Sequence, residues 1–384
     1  MKTRILATLL ALSAMIPATS ALADTSINAA DSGVRTMGRT AVANGSQTLA
    51  FPGIELTVRF SGSAEVKMQG EVLSNQGWFT VYIDGKALPV LEIPTGKYDV
   101  TLAKGLDPKA AHVLRLVRRS EAWEGVVRID KFALADGAKV LSPLPLPERK
   151  ILAIGDSITC GEYIELSDAK QVGNGTTNAE LAYESLLAKN FNAQLHIVAY
   201  GGKGIVRDWR GLNTQMLKDV AAEGGCTNPK EIVCAPDFFE RALPDDPSSK
   251  WDHSQYVPDL VIICIGQNDF SQMSLPVSDY AAAYIKFIDR IHEVYPKASI
   301  LILSSPMAEM SRDDGWQPRG VALQLAITMV DQHYVRLGTP FVMPFFTSHQ
   351  PGTALNAHPI ASQHAAMAEE LKPIIRFLTD WQDK

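Results

Sequence analysis

Residues 155–161 read GDSITCG and follow the apolar run ILAI at 151–154. They contain one serine, Ser157. A serine hydroxyl becomes a nucleophile when a base removes its proton, and histidine is the side chain whose pKa suits that task. Of the eight histidines in the chain, His358 in NAHP (356–359) is the favoured base. It opens a helical pattern, and Pro359 behind it suits the first helical position. His349 and His364 are its rivals, whereas His196 lies in a strand-like run and His292 and His333 lie on helical patterns. Acyl transfer also needs donors aimed at an oxyanion. The candidates are the backbone N–H groups of Ser157 and of Gly204, in YGGKG (200–204), and the side-chain amide of Asn268, in GQND (266–269). Taken singly, each has a plainer reading: a capping serine, a loop glycine, a turn-forming asparagine. The nucleophile elbow G-x-S-x-G does not occur around Ser157.

These residues share a position along the chain. From residue 150 to 384, nearly all-apolar runs (151–154, 195–199, 260–266, 299–304, 340–343) alternate with helical patterns (179–191, 280–295, 320–337, 360–381). This predicts a doubly wound α/β/α domain with a five-stranded parallel sheet, buried on both faces. The motifs follow the ends of these strands, where ligands bind in such sheets. Residues 24–145 differ. Short segments alternate apolar and polar residues, and IDGKAL carries an Asp-Gly hairpin signal, which predicts a β-sandwich of jelly-roll type. Three prolines in LSPLPLPER (141–149) make a stiff linker between the two.

Composition narrows the function. With a net charge of −6 and no basic run, the chain lacks a nucleic-acid footprint. Residues 1–23 combine Lys2 and Arg4, a short apolar segment and a small-x-small site ending at Ala23, the pattern of a cleaved signal peptide. The expected location is periplasmic or secreted, with no membrane span, and a monomer is expected. An oxidising compartment permits disulfides, and Cys226 with Cys234, bracketing CTNPKEIVC, is the favoured pair. Cys264 in its apolar run reads as a small buried hydrophobe. The cysteine spacing carries no zinc signature, and the chemistry calls for no metal or cofactor.

Gly155-Asp156-Ser157, Gly204, Gly266-Gln267-Asn268-Asp269 and His358 together resemble the blocks of the SGNH (GDSL-type) hydrolase family, in the right order and across the whole domain from about residue 150. GDSITCGE, GGKGIVRDW and IGQNDFS, preceded by a β-sandwich, are similar to carbohydrate esterase family 2. That resemblance implies a two-domain esterase removing acetyl groups from xylan or a similar plant polysaccharide, with Ser157 and His358 catalytic and Ser157, Gly204 and Asn268 forming the oxyanion hole. It also implies that the N-terminal domain is like a carbohydrate-binding module. The chain departs from the pattern where the family commonly has an aspartate, three residues before the histidine: Leu355 stands there and Asn356 follows. A Ser–His dyad, which some members use, is the expectation, with Asn356 Oδ1 able to orient the imidazole. Ala357 stands where an aromatic residue is frequent. Trp209 and Trp316 are candidate sugar-stacking walls; Trp78 and Trp123 could line a carbohydrate surface or sit in the sandwich core. Two rival functions remain from the residues: an SGNH esterase, lipase or peptidoglycan O-acetyl esterase of other acyl specificity, and a non-catalytic glycan-binding protein.

Overall fold

Five parallel strands form the sheet of the C-terminal domain: β1 (Arg149–Gly155), β2 (Ala193–Ala199), β3 (Leu260–Cys264), β4 (Ser299–Leu303) and β5 (Val342–Phe345), in the spatial order β2-β1-β3-β4-β5. The computed structural model describes residues 25–166, 174–213, 233–271, 275–307, 319–339 and 341–384. Residues 1–23, Cys226 and Trp316 lie outside the described residues, so the expected leader, half of the cysteine pair and one sugar wall fall there.

Successive side chains of a strand point to opposite faces, and the apolar runs use this. Leu152, Ile154, Val198, Val261 and Ile263 pack with helices α4 (Val277–Val294) and α5 (Arg319–Leu337). Ile151, Ala153, Leu195, Ile197 and Ile262 pack on the other face with α2 (Tyr183–Asn190) and α6 (Ala361–Thr379). Two covered faces explain why residues 151–154 of β1 and all of β3 are apolar. The register levels the strand ends: Gly155 pairs with both Ala199 and Cys264, and Cys264 with Leu303. The loops after β1, β2 and β3 therefore leave the sheet at one height. The order reverses beside β1, and the crevice outside its carboxyl end is where such a sheet binds ligands.

The N-terminal domain is an eleven-stranded antiparallel assembly. Its long strand Glu65–Ile83 pairs along its first part with Gly125–Leu134 and along its last residues with Ala111–Arg118. Its register against Gly125–Leu134 shifts between Val72 and Ser74, opposite Val127 and Val126, and a bulge of this kind bends and twists a strand. Phe51, Phe60, Phe79 and Phe132 fill the interior, each fully buried. The linker is tied back on this domain: Arg59 Nη1 donates to Ser142 O at 2.6 Å.

Cys234, the described half of the expected pair with Cys226, is buried. It begins α3 (Ala235–Phe239), where its N–H donates to Asp237 Oδ2 at 3.0 Å. Two expectations are corrected. The pattern at 179–191 is not one helix: a 3-10 turn, Ala179–Leu181, is parted from α2 by Ala182 in an extended conformation. Pro359 is not the first helical residue, because α6 starts at Ala361 with Ile360 as its cap.

Candidate active site

β1 ends in Gly155, and Asp156 caps a one-turn helix, α1 (Ser157–Cys160), its Oδ1 accepting from Ile158 N at 3.1 Å. A Cβ at position 155 would meet Thr159 Oγ1 at 2.0 Å and Cys264 O at 2.9 Å, so a glycine is needed for the turn to close against β3. Ser157 becomes the first residue of α1, a position whose N–H has no partner within the helix.

His358 arrives from the far end of the chain. Its Nε2 lies 2.8 Å from Ser157 Oγ, and its Nδ1 lies 2.6 Å from Asn356 Oδ1. Asn356 Oδ1 also accepts from His358 N at 2.9 Å, which orients the amide with its oxygen toward the histidine. A carbonyl oxygen only accepts, so Nδ1 carries the proton and Nε2 presents a lone pair to the serine hydroxyl. Asn356 is itself braced, its O accepting from Thr353 N at 2.8 Å. Burial pushes the His358 pKa down to about 4, so the ring is a neutral base across the ordinary pH range.

The third and fourth motifs meet beside this pair. Asn268 Nδ2 donates to Lys203 O at 2.9 Å and makes a longer 3.3 Å contact with Asp156 Oδ2. Asp269 is fully buried and binds the loop after β2: its Oδ2 accepts from Ile205 N at 3.0 Å, its Oδ1 from Val206 N at 2.7 Å and Arg207 N at 3.1 Å. Burial pushes its pKa up to about 6 despite these donors. A Cβ on Gly204 would lie 2.1 Å from Asp269 Oδ2, so the carboxylate and the glycine must be neighbours. Ser157, Asn268 and His358 all line one open cleft of about 740 Å³. Trp209 lines it too, 54% exposed.

The rival histidines are elsewhere. His349 lines a separate small cavity with Ser304 and Thr347. His364 is fully buried in α6, its Nδ1 accepting from Tyr183 N at 3.2 Å.

Sequence reasoning gave no role to Glu162, the last residue of GDSITCGE, or to Tyr163. Glu162 Oε2 lies 3.6 Å from His358 Nε2, and the Tyr163 ring meets the imidazole edge-on at 5.5 Å. Burial, and then the charges of Glu124 and Asp156, hold the Glu162 carboxyl well above its usual range. Their signal in sequence is position: Glu162 ends the motif GDSITCGE and Tyr163 follows it. Ser74, Asn75, Ala122 and Trp123 of the N-terminal domain also line the cleft, and nothing in their local sequence connects them to Ser157.

Residues 153–366 match the model of the GDSL-like lipase/acylhydrolase family, and residues 36–145 match that of the carbohydrate esterase 2 N-terminal family. The sheet and the motif loops at its rim thus define an esterase of the GDSL type. An acetylxylan esterase / glucomannan deacetylase of Cellvibrio japonicus is 31% identical over 359 residues, covering 92% of this chain and 91% of its own. A solved family two carbohydrate esterase of Cellvibrio japonicus superposes with a TM-score of 0.79 at 30% identity, over 94% of this chain and 99% of that one. One from Clostridium thermocellum, in complex with cellohexaose, gives 0.78 at 27% identity, over 91% and 100%. The chain belongs to carbohydrate esterase family 2.

Proposed function

We propose that this esterase is secreted or periplasmic and removes acetyl groups from a plant-type polysaccharide such as xylan or glucomannan, with Ser157 as nucleophile and His358 as general base. The observation that carries the reading is the 2.8 Å contact between Ser157 Oγ and His358 Nε2 at the mouth of an open cleft. Oγ attacks the acetyl carbonyl carbon while its proton passes to Nε2. The carbonyl oxygen becomes an oxyanion held by the N–H groups of Ser157 and Gly204 and by the Asn268 N–H that leaves its longer, 3.3 Å bond to Asp156 Oδ2. The C–O bond to the sugar then breaks, and the imidazolium returns its proton to the departing sugar oxygen. Water repeats the sequence on the acetyl-enzyme and releases acetate. Relatives that deacetylate xylan and glucomannan support the substrate class, and the apolar, cleavable pattern of residues 1–23 supports export.

The test is acetate release from acetylated xylan and acetylated glucomannan by wild type and Ser157→Ala. Loss of about a thousandfold or more in kcat is expected. Near-wild-type turnover in the variant would sink the mechanism. Rates on 4-nitrophenyl esters of increasing acyl length separate an acetyl esterase from one of broader acyl range.

A further inference from the structure

Trp123 stands at the rim of the catalytic cleft on the turn Ala122–Glu124 of the N-terminal domain, with 37% of its surface exposed. An indole gains more by burial than almost any side chain, so the means that hold it out are informative. Glu121 N donates to Glu124 Oε2 at 3.1 Å, closing the turn on itself. Glu124 Oε1 accepts from Thr177 Oγ1 at 3.0 Å, and Glu121 Oε2 accepts from Gly201 N. Both partners belong to the catalytic domain, and Gly201 lies in the same loop as Gly204. Asn75 Nδ2 donates to Trp123 O at 2.6 Å from the other side. The two glutamates are fully buried, and taking carboxyl groups out of water is costly unless they are bound. The turn is thus locked to the oxyanion loop by groups that are expensive to bury. Trp78 shows the alternative fate: its ring lies under Gly175, where a Cβ would come within 3.1 Å, and its Nε1 is enclosed.

We propose that Trp123 is a sugar-binding subsite of the catalytic cleft, supplied by the N-terminal domain. Its exposed face takes the C–H face of a pyranosyl ring in the polysaccharide backbone, so that the chain crosses the seam between the domains. Trp209, 54% exposed on the catalytic domain, lines the same cleft. Asn75 and Ser74 line it beside Trp123 and offer polar atoms to ring hydroxyls. The proposal rests on the carbohydrate deacetylase reading above. It gives the N-terminal domain a part in the catalytic cleft itself, in place of a separate module.

The experiment compares kcat/KM on acetylated glucomannan with kcat/KM on 4-nitrophenyl acetate, as a ratio, in wild type, Trp123→Ala, Trp123→Gln and Trp123→Phe. The ratio is expected to fall about tenfold in the alanine and glutamine variants, chiefly through KM on the polymer, and to recover most of its value with phenylalanine. Cooperative melting near the wild-type temperature in either of the first two keeps the comparison valid. A ratio within about twofold of wild type in a folded variant overturns the subsite and leaves the esterase reading standing. A wild type that hydrolyses 4-nitrophenyl acetate but releases no acetate from any polysaccharide overturns both.

Discussion

Asn356 Oδ1 lies 2.6 Å from Nδ1 of His358, two residues further along the chain, and it is a neutral acceptor where hydrolases of this kind commonly place a carboxylate. It sets the tautomer and the ring orientation as an acid would. It does not supply the negative charge that stabilises an imidazolium. With burial holding the His358 pKa at about 4, the ring is always ready to accept a proton but gains less by accepting it.

Asn356→Asp should reverse that balance. A carboxylate at Nδ1 favours the charged ring, so the acid limb of kcat/KM on 4-nitrophenyl acetate should move up from its wild-type midpoint near pH 4 by about one to three units. Asn356→Ala should leave the ring unoriented and cost about a hundredfold in kcat. An acid limb that stays in place in the aspartate variant would show that Asn356 does not govern the base.

Glu162 gives an alkaline signature. Its carboxyl, 3.6 Å from Nε2, is pushed up to about 8, first by burial and then by the charges of Glu124 and Asp156. Tyr163, Glu121 and Cys160 are further titratable groups that interact with it. As pH rises through that value the carboxylate forms beside the nitrogen that becomes positive in the transition state, so activity should rise a second time. Glu162→Gln should abolish this rise while leaving the acid limb. A variant profile that still climbs between pH 7 and 9 would exclude the assignment.

The Asp269 brace should be as sensitive as the nucleophile's own surroundings. Asp269→Asn turns an amide N–H toward backbone donors now held by carboxylate oxygens, and should cost about 2–3 kcal/mol of stability. Gly204→Ala drives a methyl group into the same carboxylate and should lower kcat about a hundredfold, with a smaller change in KM. Thermal melts and steady-state kinetics measure the two effects. Gly204→Ala at wild-type kcat would remove Gly204 from the oxyanion hole.

The seam between the domains carries a pH-dependent stability. Burial pushes the Glu124 pKa from 4.5 up to about 7. Between those values the folded protein holds a proton that the unfolded chain has lost, so stability falls as pH rises across that window. Glu124→Gln has no proton to lose, and its melting temperature should fall less steeply from pH 5 to 8 than that of wild type. Parallel curves would mean that this carboxyl does not contribute.

Much of this protein was legible before folding. The alternation of apolar strands with helical patterns gave the doubly wound sheet, because covering both faces of a parallel sheet demands that composition. Ser157, Gly204, Asn268 and His358 were each named from sequence because they stand in motifs that follow strand ends or precede the last helix. What the residues around them do is a matter of three dimensions. Whether Asn356 could stand in for an acid depended on which atom its amide turned toward the ring, and a second hydrogen bond from His358 N decides that. Glu162 became relevant through a short turn that returns it to Nε2. Trp78 and Trp123 have the same side chain on neighbouring strands and turns of one domain, yet one is covered by Gly175 and the other lines the cleft. Side-chain type and spacing encode local conformation and the apolar faces that must be buried. Which exposed group finally stands opposite Ser157 depends on how two separately patterned domains meet, and that is settled only when their surfaces pack.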